Sequence, residues 1–183
     1  MSTQGAGDAR PVVLALGSNL GDRLANLRAG LQVLAEGGEI AVTAVSPVYE
    51  TAPVGGPEQP DYLNAVVVAR TALPARAVLR KAQAAEQARG RVRSERWGPR
   101  TLDVDVIIVG QDRSEEAELT LPHPRARERA FVLVPWLDAD PAAALPGDGP
   151  VADLVSKVGR DGLRRRDDLS LAAAQPPGPE RDW

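Results

Sequence analysis

The sequence predicts an α+β sandwich: an antiparallel sheet with two helices on one face, plus additional strands and short helices. Three observations carry that expectation. Strand-like and helix-like apolar patterns follow one another in the order β-α-β-β-α-β between Val12 and Val109. Gly- and Pro-rich clusters punctuate them. No repeat and no second block of apolar sequence follows, so the 183 residues read as one domain.

Val12–Leu16 is a short apolar strand that runs into Gly17-Ser18-Asn19. Leu24, Leu27, Leu31 and Leu34 then form one helix face, with Asp22 as cap and Gly37-Gly38 as stop. Ile40–Glu50 alternates and is β-branched, which predicts a strand running to Pro53; Gly55-Gly56-Pro57 and Pro60 mark a loop. In Tyr62–Arg70 the residues Tyr62, Asn64, Val66 and Val68 share one strand face, and Leu63, Ala65 and Val67 the other. Pro74 suits the first turn of a second helix through Val78, Leu79, Ala82, Ala85 and Glu86, ending at Gly90. Thr101–Val109 is a strand, with Leu102, Val104, Val106 and Ile108 expected to face the core. Gln111–Glu118 reads as a charged loop, Arg127–Leu137 as a short helix limited by Pro135, and Val151–Val158 as another. Residues 1–10 are expected to form a disordered leader, 11–169 the single domain, and 170–183 a flexible tail. The element order is that of a ferredoxin-like βαββαβ sandwich.

Composition narrows the chemistry. There is no cysteine, so disulfides, thiolate metal sites and a Cys nucleophile are excluded, and a reducing, cytoplasmic setting is expected. The single histidine, His123, excludes a zinc site with two His ligands. Six aromatics imply an aliphatic core. The formal net charge of −3 argues against nucleic acid as a partner. No apolar run approaches the length of a membrane span. Neither nucleic acid nor a membrane is therefore an expected partner, and the chain is expected to act as a monomer.

The sharpest motif is Arg96-Trp97-Gly98-Pro99-Arg100-Thr101-Leu102-Asp103-Val104-Asp105. On a strand, Asp103 and Asp105 point to one face about 7 Å apart. Two adjacent carboxylates repel each other unless something compensates, and a hard cation such as magnesium does so directly. A solvated strand face carrying two charges would read the same way. Arg91, Arg93, Arg96 and Arg100 lie just upstream, and their planar donors match phosphate as well as carboxylate. Carboxylates with an arginine cluster are the equipment of phosphoryl transfer. Trp97, flanked by Arg96 and Gly98, can cover a flat ligand or pack on an arginine stem. His123 is held between Pro122 and Pro124, close to Arg125, Arg127 and Arg129. Tyr62 and Asn64 offer a stacking surface beside an amide that can read a donor–acceptor edge.

These motifs together resemble the 6-hydroxymethyl-7,8-dihydropterin pyrophosphokinases of the folate pathway. The resemblance runs from about Val12 to about Val158. It includes Leu16-Gly17-Ser18-Asn19-Leu20-Gly21, Tyr49-Glu50-Thr51-Ala52-Pro53, Gln59-Pro60-Asp61-Tyr62-Leu63-Asn64-Ala65, Glu95 through Asp105, and Leu121-Pro122-His123-Pro124-Arg125. It implies a kinase that transfers pyrophosphate from ATP, its co-substrate, to the pterin hydroxymethyl group and releases AMP. Asp103 and Asp105 would hold two Mg2+ ions. Arg91 and Arg100 would close on the phosphates, and Trp97 would help seal the site. Tyr62 and Phe131 would stack on the pterin, with Asn64 on its edge and Thr51 and Val54 assisting. Gln83, Glu86, Arg93, Thr120, His123 and Arg129 would contact ATP. Two departures stand out: Glu118 replaces a basic nucleotide contact of some relatives, and Pro124 a tyrosine. The residues alone leave open another magnesium-dependent nucleotidyl or phosphoryl transferase on this sandwich. A non-catalytic RNA-binding module is disfavoured by the charge and by the lack of an aromatic RNP pattern.

Overall fold

The structure, a computed structural model, describes residues 7–88 and 101–172. Strand β1 (Arg10–Ser18) turns Val12, Leu14 and Leu16 to one face of the sheet and Val13, Ala15 and Gly17 to the other. Helix α1 (Arg23–Ala35) begins where the Asp22 carboxylate accepts the Ala25 N–H at 3.0 Å, the cap expected from sequence. Strands β2 (Ile40–Val45), β3 (Tyr49–Thr51) and β4 (Tyr62–Thr71), helix α2 (Ala75–Ala88) and strand β5 (Asp103–Val109) follow. The core strands run in the order β3-β4-β1-β5, with β2 also on β4, and every pair is antiparallel. This is the ferredoxin-like arrangement. Helices α1 and α2 cover one face of it through Leu27, Leu34, Val78, Ala82 and Ala85.

The other face carries a second helical layer. Helices α3 (Ala130–Ala139) and α4 (Val151–Val158) pack on Val13, Val66, Ile107 and Ile108. The first core cluster is wholly aliphatic, as the aromatic count implied; Tyr49 and Trp136 belong to the second. Part of this second face, at the Gly17 end of β1, stays open and becomes the floor of a cleft.

Several expectations are corrected. The strand read across Ile40–Glu50 is broken at Ser46-Pro47-Val48. Pro47 has no N–H for a ladder, and Ser46 takes over both partners of Val66: its N–H donates to Val66 O at 2.9 Å, and its Oγ accepts from Val66 N at 2.8 Å. Ile108 faces the second layer, not the first. The β1–β5 register shifts between Val13 and Leu14, so Ile107 is an extra residue that reverses the alternation beyond it. The charged loop 111–118 contains β6 (Ser114–Glu116), which pairs with β7 (Leu119–Leu121).

Pro135 does not end its helix but lies inside α3, preceded by a 3-10 turn at Ala126–Glu128. An interior proline costs about 3 kcal/mol or more. Burial of Val132, Leu133, Val134 and Trp136 against the sheet, at about 1.5–3 kcal/mol per side chain, offsets it. A small hairpin, β8 (Ala144–Leu145) with β9 (Gly149–Pro150), and strand β10 (Leu163–Arg165) on the free edge of β3 had no sequence signal. The boundaries drawn at 10 and 170 fall inside packed chain: Arg10 pairs with Thr71, and Leu171 is buried in the first core cluster.

Leu102 anchors the start of β5. It is fully buried, and a Cβ on Gly30 of α1 would come within 2.8 Å of its Cδ2, so the glycine is what lets helix and strand close on this side chain. Leu102→Ala is expected to lower the unfolding free energy by about 2–5 kcal/mol in a denaturant titration. A loss of a few tenths would mean that the pocket under Gly30 collapses without cost.

Candidate active site

The cleft, of about 980 Å³, opens on the sheet face that carries Tyr62 and Asn64 of β4, Ala15 and Gly17 of β1, and Asp103 and Asp105 of β5. Register aligns them. Gly17 lies opposite Asn64 on one side and Asp103 on the other; Ala15 lies between Val66 and Asp105. Asn64 and Asp103 are therefore two strand spacings apart, about 10 Å, with no side chain between them. The gap depends on residue 17 being glycine, because a Cβ there would lie 2.9 Å from Asn64 Oδ1 and 3.5 Å from Tyr62 Cδ1. Asn64 is buried and its Nδ2 donates to Thr51 Oγ1 at 2.7 Å, which fixes the amide plane.

The aspartate pair is half-buried and faces the cleft, as the strand alternation required. Arg129 Nη1 stands 3.7 Å from Asp105 Oδ2, and the same guanidinium lies over the Phe131 ring at 5.5 Å. From the helical side, Glu86 Oε1 accepts the Val104 N–H at 2.9 Å, so a buried carboxylate grips the backbone between the two aspartates. Among the described residues no group of three or more His, Cys, Asp or Glu could hold a metal ion. The pair thus offers two hard oxygen ligands on an open face. That donor set suits a cation which keeps water or phosphate oxygens, as magnesium does.

His123 is tied to the bulge of β5: its N–H donates to Ile107 O at 2.9 Å. The Arg125 N–H donates to His123 Nδ1 at 3.2 Å, so the neutral ring carries its proton on Nε2. Burial and the nearby Arg129 charge outweigh the attraction of Asp103, with Arg125 adding to them, and push the imidazole down to about 4. At neutral pH His123 is a donor without charge.

Of the residues expected from sequence, Thr51, Val54, Tyr62, Asn64 and Phe131 line the cleft, and so do Asp103, Asp105, His123 and Arg129. Thr120 borders an adjacent recess of about 260 Å³ that it shares with His123, Arg113 and Arg127. Gln83 is exposed on α2, and neither it nor Glu86 lines the cleft. Arg91, Arg93, Trp97 and Arg100 lie outside the described residues. Sequence reasoning took Gly17 for part of a turn and missed it as the floor; the strand alternation, carried two residues further, would have placed it there. It also missed Asp161, Gly162 and Leu163, which line the opposite rim and had no local signal.

The family model for 7,8-dihydro-6-hydroxymethylpterin-pyrophosphokinase (HPPK) matches residues 13–141. The chain is 49% identical over 170 residues to the 2-amino-4-hydroxy-6-hydroxymethyldihydropteridine pyrophosphokinase of Mycobacterium tuberculosis (strain ATCC 25618 / H37Rv), covering 84% of this chain and 88% of that protein. It is 43% identical over 122 residues to the protein of the same name from Bacillus subtilis (strain 168), covering 67% and 73%. Among solved structures, wild-type Plasmodium falciparum HPPK-DHPS with pterin and p-hydroxybenzoate aligns with a TM-score of 0.63 at 13% identity, over 87% of this chain and 45% of that one. An HPPK-DHPS in complex with substrates gives 0.65 at 12%, over 86% and 46%. The chain spans less than half of those longer structures, and at that identity the likeness speaks for the fold.

Two measurements test this geometry. As the only histidine, His123 gives a single imidazole signal, which in metal-free protein is expected to titrate near pH 4. Its folded-state pKa lies below the unfolded value of 6.5, so its contribution to stability is complete above about pH 6.5 and is lost as pH falls towards 4. A midpoint near 6.5 would contradict the buried, arginine-flanked placement. Glu86→Ala leaves the Val104 N–H without its acceptor and is expected to cost about 1–3 kcal/mol in thermal or denaturant unfolding, whereas Glu86→Gln keeps an acceptor and should cost less. Equal losses would show that the carboxylate charge, not this bond, holds the strand.

Proposed function

The chain belongs to the 7,8-dihydro-6-hydroxymethylpterin-pyrophosphokinase family, and on that premise we propose how its cleft carries out the reaction. The protein is a folate-pathway diphosphokinase: it transfers pyrophosphate from ATP to 6-hydroxymethyl-7,8-dihydropterin, giving the pterin diphosphate and AMP. The observation that carries the residue assignment is the row Asn64–Gly17–Asp103. A side-chain-free floor joins a buried amide to a carboxylate pair, at a span that suits a flat bicyclic ring with its hydroxymethyl arm.

In this reading the pterin lies over Gly17 between Tyr62 and Phe131. Asn64, oriented by Thr51, reads the ring edge, and backbone groups near Thr51 and Val54 assist. The arm then points to Asp103 and Asp105. Those carboxylates would hold two magnesium ions, which would supply charge to neutralise the phosphates and to acidify the hydroxyl. The hydroxymethyl oxygen attacks the β-phosphorus. The new O–Pβ bond forms as the bond from Pβ to the oxygen bridging it to Pα breaks, AMP departs with that oxygen and the electron pair, and the hydroxyl proton passes to solvent. Arg129 leaves Asp105 for phosphate oxygens, and the Nε2–H of His123 donates to them. Thr120, beside the adjoining recess, contacts the nucleotide. Arg91, Arg93 and Arg100 complete the charge stabilisation, and Trp97 helps to exclude water. Glu86 serves by holding Val104, and Gln83 is left outside the nucleotide contact.

The rest of the reading is that the chain from Arg10 to Leu171 acts as one catalytic domain, as a monomer, in the cytoplasm. The lack of cysteine supports a reducing compartment. Among the described residues no helix is long and apolar enough to cross a membrane.

Incubation with ATP, magnesium and the hydroxymethyl dihydropterin should release AMP; ADP in its place would exclude pyrophosphoryl transfer. Asp103→Asn and Asp105→Asn should each lower kcat about 10²–10³-fold or more while thermal unfolding stays cooperative. Turnover close to wild type in Asp105→Asn would sink the metal assignment.

A further inference from the structure

The segment after α4 returns to the sheet and runs along the free edge of β3, past the end of the family match at residue 141. Pairing sets Leu163 opposite Thr51, and Thr51 is itself opposite Tyr62. Leu163 therefore extends the row of two residues assigned to the pterin, and with Asp161 and Gly162 it forms the rim of the cleft on that side. The aspartate pair on β5 stands at the other edge of the sheet, with β4 and β1 in between.

What holds this rim is on the opposite face of β3. Glu50, between Tyr49 and Thr51, lies directly across from Arg164 and accepts from its guanidinium. Its Oε2 stands 2.9 Å from Arg23 Nη1 of α1 and accepts from Arg166 Nη1 at 3.1 Å. The carboxylate is only 11% exposed, so these interactions are weakly screened. The strap is fixed again further on. The Arg166 N–H donates to Val48 O at 2.8 Å, Arg28 donates to Ser170 O through Nε at 3.0 Å and Nη2 at 2.7 Å, and Leu171 is buried among the side chains under α1.

We propose that Leu163 is a specificity-determining wall of the pterin pocket, and that Glu50 is the positioning residue that keeps it in place. The inference rests on the pterin placement given above. An apolar side chain on that rim narrows the slot around the flat ring and removes water from its edge, so that Asn64 reads a desolvated partner. Its influence is confined to the pterin side, because the phosphate groups of the site lie on the far strand.

The test uses the full chain. Leu163→Ala is expected to raise the KM for the hydroxymethyl dihydropterin about tenfold while the KM for ATP and kcat stay within about twofold, the size expected for lost apolar contact in a pocket. Calorimetric binding of oxidised 6-hydroxymethylpterin should weaken in parallel. Glu50→Gln should move the same two readouts in the same direction by a smaller factor, and Leu163→Met, which keeps the volume, should restore them. An unchanged pterin KM in Leu163→Ala, or an equal rise in the ATP KM, overturns the proposal. Should Leu163→Ala fail to fold by circular dichroism, Leu163→Val decides: a rise in the pterin KM alone supports the wall, and no change overturns it. Failure of the underlying reading looks different, since wild-type protein would then release no AMP with this pterin.

Discussion

The double pairing of β1, antiparallel to β4 on one side and to β5 on the other, is the constraint on which the cleft depends. It puts Gly17 between Asn64 and Asp103, and only a residue without Cβ leaves that line open. Register in such a sheet is set by burial: a slip of one residue would turn Leu14 and Leu16 out of the first core cluster and bring them into the cleft. The aliphatic packing beneath α1 and α2 is thus also what aims the polar residues on the other face. Leu102 under Gly30 and Glu86 on the Val104 N–H act on the same strand from that side, so the aspartates are placed by groups that never enter the cleft.

Opposite charges already meet in the cleft before any substrate arrives, although the carboxylates Asp103, Asp105, Glu128 and Asp161 outnumber Arg125 and Arg129 among its described lining residues. Arg129 sits near Asp105, and His123 is kept neutral by burial and by the guanidiniums beside it. Anionic phosphates and cations that reach the cleft together can exchange partners with these groups without leaving either sign of charge unpartnered. The overall −3 conceals this local arrangement.

What the sequence made legible was local. The periodicity of α1, the alternation of β4 and the shared face of Asp103 and Asp105 each depend on residues within a few positions, and each is found as expected. The strand break at Ser46 was not legible, because Ser46 replaces a ladder bond to Val66, twenty residues away. The bulge at Ile107 follows from pairing with Val13, which no window around Ile107 contains. Pro135 survives inside α3 because tertiary burial outweighs a local penalty. Periodicity could place Tyr62 and Asn64 on one face but could not bring Phe131 or His123 to them; for those residues the expectation came from family resemblance, and they do line the same cleft. The arginine segment, which resemblance made central, lies outside the described residues.

The βαββαβ core by itself supplies a flat sheet face, which binds no small molecule selectively, because a pocket needs walls as well as a floor. The walls here come from chain that the element order does not announce: the segment of His123 and Arg129, the start of α3 with Phe131, and the strap that brings Asp161–Leu163 back to β3. Besides its pairing with β3, that strap is held by a carboxylate shared among Arg23, Arg164 and Arg166. Arg23 belongs to α1, so Glu50 couples the packing of the first helical layer to the rim of a cleft on the opposite face. The same sheet edge that would otherwise be free for pairing with another chain is covered by this arrangement. One ionic cluster therefore both closes the edge and shapes the pocket.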